Sequence, residues 1–451
     1  MAWDSARGEY LIKGGAIITV DPTIGTLPLG DVLIRDGAIV DVGSALSSDS
    51  AEIVDATDMI VMPGLIDTHY HMWSSLGRSF ICDDGFGYFQ AKWATAEHYS
   101  AEDFYNSVML GLAELANNGV TTVNNWSHNN RSPAHVDAEL RAHRNSLLRA
   151  RYSLGPPDQL PIDVVNDFTD LPRVKSEWFD DRTQFDGLVH LGVNLRAMVQ
   201  SNADVFHKEM ETILETGLPV CIHASQDEPN LDDAEDYESR GYLGPNFLFC
   251  HYLAATDRDR AALARTNTPL SFATHSEMKF GMPGDPRRAL LAAKDANVLI
   301  SLSSDATSVS PPNMFENMRF TWNLGFSATN PLGFCDVIKM ATINGAVALG
   351  LGDITGSITP GKRADIILLR SKDLNMAPVT NIETAVVQAA TPANVDTVIV
   401  DGRMIKRHGK LMAFDVPTIV DNAGHSALRI RKATGGILKP RFGTLGNPIC
   451  C

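Results

Sequence analysis

No stretch of this 451-residue sequence is apolar for long enough to cross a membrane. The opening Met1-Ala-Trp-Asp-Ser-Ala-Arg-Gly8 also lacks the apolar core of a secretory signal. Basic residues are in deficit, 38 Lys and Arg against 54 Asp and Glu, for a net charge of −16. A nucleic-acid or anionic-membrane binder needs a basic patch, so both partner classes are excluded in favour of a small-molecule substrate. Cysteine is sparse, and four of the six (Cys82, Cys221, Cys250 and Cys335) are scattered through apolar sequence. Core thiols in a reducing cytoplasm are the expectation, with Cys450-Cys451 an inert end. There is no internal repeat and no low-complexity segment.

What remains is ordinary soluble composition, 44% hydrophobic and 20% charged. The length admits one large barrel plus an accessory domain. Residues 9–62 read as short strands separated by turns such as Asp36-Gly37. A second β-rich block follows residue 360, with Asp365-Ile-Ile-Leu-Leu, Thr384-Ala-Val-Val-Gln and Thr397-Val-Ile-Val as its strands. Blocks at opposite chain ends can pair, so residues 1–62 and 351–412 are expected to form a small β-sandwich domain. Residues 63–350 alternate strands and helices. Ser100-Ala-Glu-Asp103 is a capping box opening a helix with Phe104, Val108, Leu112 and Leu115 on one side, and Val120-Thr-Thr-Val123 follows as a strand. The fold class is therefore α/β, a (β/α)8 TIM-type barrel. Residues 413–451 show no clear pattern and read as a C-terminal tail.

The chemistry gathers at strand ends. Val61-Met-Pro-Gly-Leu-Ile-Asp-Thr-His-Tyr-His71 is an apolar strand ending in two histidines one residue apart, which share a face. Neutral imidazole is the commonest protein ligand for zinc and related ions. Leu218-Pro-Val-Cys-Ile-His223, Phe247-Leu-Phe-Cys-His251 and Val298-Leu-Ile-Ser-Leu-Ser-Ser-Asp305 end in the same kind of group. Singly, each has a plain alternative: a loop histidine, or for Asp305 a helix cap. Jointly they form a ligand set at the C-terminal ends of barrel strands, where such barrels carry their chemistry.

Pro63-Gly-Leu-Ile-Asp-Thr-His-Tyr-His71 resembles the first-strand motif of the amidohydrolase superfamily. Ala341-Thr-Ile-Asn-Gly-Ala-Val-Ala-Leu-Gly-Leu and Gly356-Ser-Ile-Thr-Pro-Gly-Lys-Arg-Ala-Asp365 resemble its exit segments in the branch of cytosine and guanine deaminases and triazine hydrolases, as do residues 299–321 and Ser276-Glu-Met-Lys-Phe-Gly281. The resemblance implies that His69, His71, His223 and Asp305 hold one divalent metal ion, zinc first, with Fe2+ or Mn2+ as alternatives. It implies that His251 touches the substrate or the developing tetrahedral centre, and that Asp305 takes a proton from the attacking water. The candidate fourth strand Gly192-Val-Asn-Leu-Arg-Ala-Met198 has no bridging lysine, which favours one metal over two.

One residue departs from the branch. His223-Ala-Ser-Gln226 carries glutamine where the deaminases usually have a proton-shuttling glutamate, and an amide cannot pass a proton on. Asp227 is adjacent but is expected to point away. His128, after the second strand, and His275, after the seventh, are further substrate-binding candidates. So is Trp73, which opens an aromatic insertion through Phe80, Phe86, Tyr88, Phe89 and Trp93 to Tyr99. The expected activity is hydrolysis of a C–N bond in a small heterocyclic or aromatic compound by a cytoplasmic homo-oligomer, dimer or tetramer. The alternatives are a cyclic-amide or urea hydrolase, a dehalogenating hydrolase, a decarboxylase on the same barrel, or an inactive oligomeric scaffold.

Overall fold

The computed structural model describes residues 6–80, 87–181, 183–226, 228–279, 285–326 and 329–435. Its centre is a parallel barrel of eight consecutive strands. They are β1 (Leu65–Tyr70), β2 (Val120–Ser127), β3 (Arg149–Leu154), β4 (Val189–Leu195), β5 (Val220–Ala224), β6 (Phe247–His251), β7 (Leu270–Phe272) and β8 (Ile300–Leu302). Outward residues such as Val123, Ile222, Phe249 and Leu302 enter one large apolar core beneath the surrounding helices. The helix that leads into β2, Ala101–Asn117, begins at the expected capping box, and Phe104, Val108, Leu112 and Leu115 are all buried. Exit helix Ile343–Ala348 needs Gly345, because a Cβ there would lie 2.9 Å from Ile66 Cγ2.

The barrel is sealed at its C-terminal rim. His71 N–H donates to Asp305 O at 2.7 Å, and Asp305 N–H donates to His69 O at 2.9 Å. A register shift between Asp67 and Tyr70 lies in the same place. Such a bulge re-aims side chains: Thr68 bonds Ser271 and Ser301 inside the barrel, yet His69, its neighbour, reaches the inner cluster as well.

Strands from both chain ends meet where Met59–Pro63 pairs antiparallel with Ile366–Arg370. The expected sandwich takes the form of one continuous nine-stranded sheet. Its residues alternate between two cores. Val61, Ile366, Leu368 and Ile399 face an aliphatic core of the sheet's own, whereas Ile60, Met62, Ile367 and Leu369 join the barrel's. Arg149 ties the two units together, donating to Asp365 Oδ2 at 2.7 Å and Oδ1 at 3.2 Å.

Two expectations about elements are corrected. Thr384–Gln388 belongs to a helix, Ile382–Gln388, rather than a strand. Asn381 caps it by accepting from Thr384 N–H at 2.7 Å, and burial of Ala385, Val386 and Val387 overrides the strand preference of the two β-branched valines. The patternless tail contains an 18-residue helix, Val416–Ala433, capped by Asp415, whose Ala423 and Ile430 pack with Trp73 and Phe104. No helix among the described residues is long and apolar enough to cross a membrane.

Candidate active site

Five strand-end side chains converge at the C-terminal rim. His223 Nε2 lies 3.3 Å from His69 Nε2 and 3.2 Å from His71 Nε2. Asp305 Oδ1 lies 3.5 Å from His69 Nε2 and 3.2 Å from His71 Nε2. Ligands on a tetrahedral ion with bonds of about 2.0–2.1 Å are separated by roughly 3.3–3.4 Å, so the set fits a single divalent metal. Burial pushes His69 down to about 3 and also lowers His71, which keeps both imidazoles neutral and able to ligate. Burial works against ionising Asp305, but His69 and His71 outweigh it and hold the carboxyl well below its usual range. His251 also lies within ligand reach of His69 and Asp305.

Each of the two reactive groups has a neighbour that fixes it. Ser276 Oγ donates to Asp305 Oδ2, and His251 Nδ1 sits 3.3 Å from Glu277 Oε1. Burial opposes a charge on His251, while Glu277 and Asp305 raise its affinity for a proton; burial likewise raises Glu277. Both groups therefore bind a proton more readily than they would in water. Both His251 (φ 72°) and Asp305 (φ 68°) occupy left-handed backbone conformations, so neither simply continues its strand. Asp305 is no helix cap; its backbone makes the barrel seam. The fourth strand brings no ligand, since Asn194 spends its amide on Ser127 O and Ser153 O.

A cavity of about 550 Å³ opens above the cluster. Gln226 and His128 line it, and Gln226 Oε1 and His128 Nε2 have no hydrogen-bond partner among the described residues. Tyr88, Phe89 and Trp93 supply the expected aromatic wall. Trp73 does not reach it. Its ring is fully buried against Tyr99, Phe104 and His128, because the insertion packs its first residues onto the barrel. His275 is likewise elsewhere, on the short helix Thr274–Lys279, with its ring on Phe320 and Nε2 at 3.6 Å from Glu316. Phe86, Asp227, Cys82, Cys450 and Cys451 lie outside the described residues.

Sequence reasoning missed Trp126, whose ring is 4.1 Å from that of His223, and the cavity residues Lys92, Asp158 and Arg196. Trp126 could have been found as the residue two before His128 on an alternating strand. Lys92 and Asp158 left no local signal. Glu277 lies within Ser276-Glu-Met-Lys-Phe-Gly281, where nothing in the local sequence marks it as a partner of His251.

A closed parallel barrel with imidazoles and a carboxylate at its strand ends defines a class of metal-dependent hydrolases. The Amidohydrolase family model matches residues 60–405, and the chain belongs to that family. It is 26% identical over 435 residues to a 5'-deoxyadenosine deaminase of Methanosarcina mazei, covering 93% of this chain and 98% of the relative. It is 27% identical over 450 residues to a 5-methylthioadenosine/S-adenosylhomocysteine deaminase of Syntrophobacter fumaroxidans, covering 95% and 99%. Among solved structures it is similar to an adenosine deaminase from Xanthomonas campestris with bound zinc, at a TM-score of 0.81 and 21% identity over 95% of this chain and 100% of that one. These relatives are hydrolases of carbon–nitrogen bonds other than peptide bonds, and so is this chain.

Proposed function

We propose that the chain is a mononuclear aminohydrolase acting on a small heterocycle, with His69, His71, His223 and Asp305 holding one divalent ion, zinc before Fe2+ or Mn2+. The observation that carries this is the spacing of 3.2–3.5 Å between neutral imidazole nitrogens and a carboxylate oxygen. A divalent ion there supplies Lewis acidity and makes water a nucleophile at neutral pH. Asp305, oriented by Ser276, takes the proton of the attacking water. His251, with Nδ1 held by Glu277, offers Nε2–H to the charge that develops at the attacked carbon. Trp126 and the Tyr88–Trp93 wall stack a planar ring, and Gln226 Oε1 accepts a hydrogen bond from it.

The deaminase activities of the sequence relatives favour release of ammonia from a purine-type amine. Gln226 favours a second reading, opening of a cyclic amide, because a ring N–H can donate to its carbonyl without needing a proton returned. Incubation of zinc-loaded enzyme with purine nucleosides, triazines and cyclic amides, read by mass spectrometry, separates ammonia loss from addition of water. No turnover of any of them would defeat both readings. Elemental analysis giving two metals per fully active chain would defeat the mononuclear one. A cytoplasmic homo-oligomer completes the proposal; buried, unpaired Cys221 and Cys250 support a reducing setting, and light scattering tests the assembly.

A further inference from the structure

Two cationic side chains line the cavity among the described residues, Lys92 and Arg196, and each is already matched by a carboxylate. Arg196 directly follows β4. Its Nη1 donates to Leu160 O at 3.2 Å and to Pro161 O at 2.9 Å. Its Nη2 donates to Val164 O and, at 2.6 Å, to Glu209 Oε1, and its Nε is buried. The segment gripped in this way, Gly155-Pro-Pro-Asp-Gln-Leu-Pro-Ile162, holds three prolines. Proline has no N–H, so such a segment has few backbone donors with which to pin itself, and its carbonyls must be met from outside. A guanidinium meets three of them with one planar fork, which an ammonium cannot do.

Glu209, on helix Ala203–Leu214, answers the buried charge; the two side chains are only 6% and 0% exposed. The same Glu209 oxygen accepts from Asn166 N–H at 2.8 Å, so the pair holds the loop at residues 160–166. Just before that grip, Pro156, Pro157, Asp158, Gln159 and Leu160 line the cavity. Two of them also carry the aromatic wall. Asp158 Oδ1 accepts from Lys92 Nζ at 2.9 Å, and Gln159 Nε2 donates to Trp93 O at 3.3 Å. Both contacts fall on helix Tyr88–Ala96. We infer that Arg196 is a positioning residue for substrate binding: it fixes the loop after β3, and through Asp158 and Gln159 that loop fixes the helix bearing Tyr88, Phe89 and Trp93. Arg196 thus governs how a ring is held and takes no part in activating water. Its effect on turnover rests on the hydrolase reading above, whereas its grip on the loop does not.

Arg196→Lys keeps the charge facing Glu209 and gives up the fork. Hydrogen exchange read by mass spectrometry should then be about tenfold faster or more in peptides spanning 155–166 and 88–96, with β5 and helix Ala203–Leu214 unchanged. With zinc-loaded variant and 5'-deoxyadenosine as the probe, KM should rise about tenfold while kcat stays within about threefold of wild type. Asp158→Asn, one link further on, should loosen 88–96 and leave 160–166 protected. Should Arg196→Lys fail to fold, Arg196→Met combined with Glu209→Met removes the buried pair together and is read in the same way. Faster exchange spread over the whole barrel would reduce Arg196 to a structural residue and overturn the inference, as would unchanged exchange in 155–166. A higher KM with an unmoved loop would mean that the guanidinium touches the ligand itself. A loosened loop with an unchanged KM would mean that this wall does not hold the ring; either result overturns the positioning role. If the probe is not hydrolysed, the hydrolase reading suffers, and the Kd of the probe by calorimetry takes the place of KM beside the exchange pattern.

Discussion

The core of the small sheet and the interior of the barrel are built from opposite materials. The small sheet encloses Ile12, Ile17, Val32, Ile34, Val61, Ile366, Leu368 and Ile399, an aliphatic set delivered by alternation along the strands, with register shifts at Gly15 bringing Ile12 and Ile17 to one face. The barrel interior holds Thr68, Ser271, Ser301 and Ser303 in a hydroxyl chain at 2.8–3.0 Å, and Asn124, Ser153 and Asn194 in an amide network. Arg151 is buried among them with all three guanidinium nitrogens lacking a hydrogen-bond partner among the described residues. Aliphatic packing is non-directional and yields stability. Hydrogen-bonded interiors are directional, and they hold the strand ends at fixed angles beneath a cluster that works only within a few tenths of an ångström.

Four substitutions break or sharpen that contrast, in falling order of effect. Asp305→Asn should cut kcat by roughly 10²–10⁴-fold with the melting profile kept, because an amide cannot take a proton from water; retention of most of the turnover would return Asp305 to a structural role. Leu368→Ala, in the aliphatic core, should cost about 2–5 kcal/mol by denaturant titration and leave turnover per folded molecule intact.

Glu139 probes the polar layer between barrel and helix. It accepts from Ser127, and burial pushes its carboxyl up to about 8 from an ordinary 4.5. The folded state therefore keeps a proton that the unfolded state has released, so stability is full below pH 4.5 and declines as pH rises towards about 8. Glu139→Gln should flatten the decline across that window, and an unchanged slope would assign it to other groups. The smallest effect is expected at the cavity. Gln226→Ala should raise KM by a hydrogen bond's worth, about 0.5–1.5 kcal/mol, and a hundredfold fall in kcat at constant KM would show that the amide acts in the transition state.

The same contrast explains what the sequence disclosed. Apolar patterning and the capping box made most of the sheet strands, helix Ala101–Asn117 and seven of the eight barrel strands readable in advance, and His69, His71, His223, His251 and Asp305 were visible because each ends such a run. β3 escaped, since Arg149-Ala-Arg-Tyr-Ser-Leu154 reads as a polar segment. Arg149 is buried only because Asp365, more than two hundred residues away, is there to meet it. Lys92 with Asp158, Ser276 with Asp305 and Glu277 with His251 are likewise pairings across space, which spacing along one strand does not encode. His275 and Trp73 misled for the converse reason: their residue types suit a pocket, but the local chain turns one onto Phe320 and buries the other under the insertion.

The seam that closes the barrel joins residues made at very different moments. His69 and His71 leave the ribosome long before Asp305, whose backbone bonds to both. At synthesis rates of about 5–20 residues per second, the histidine pair waits on the order of ten seconds or more for its partner. Through that interval the nascent chain carries the imidazole pair without the carboxylate of Asp305. The set proposed to hold the ion is therefore complete only once Asp305 has been made and its backbone has joined that of the histidines.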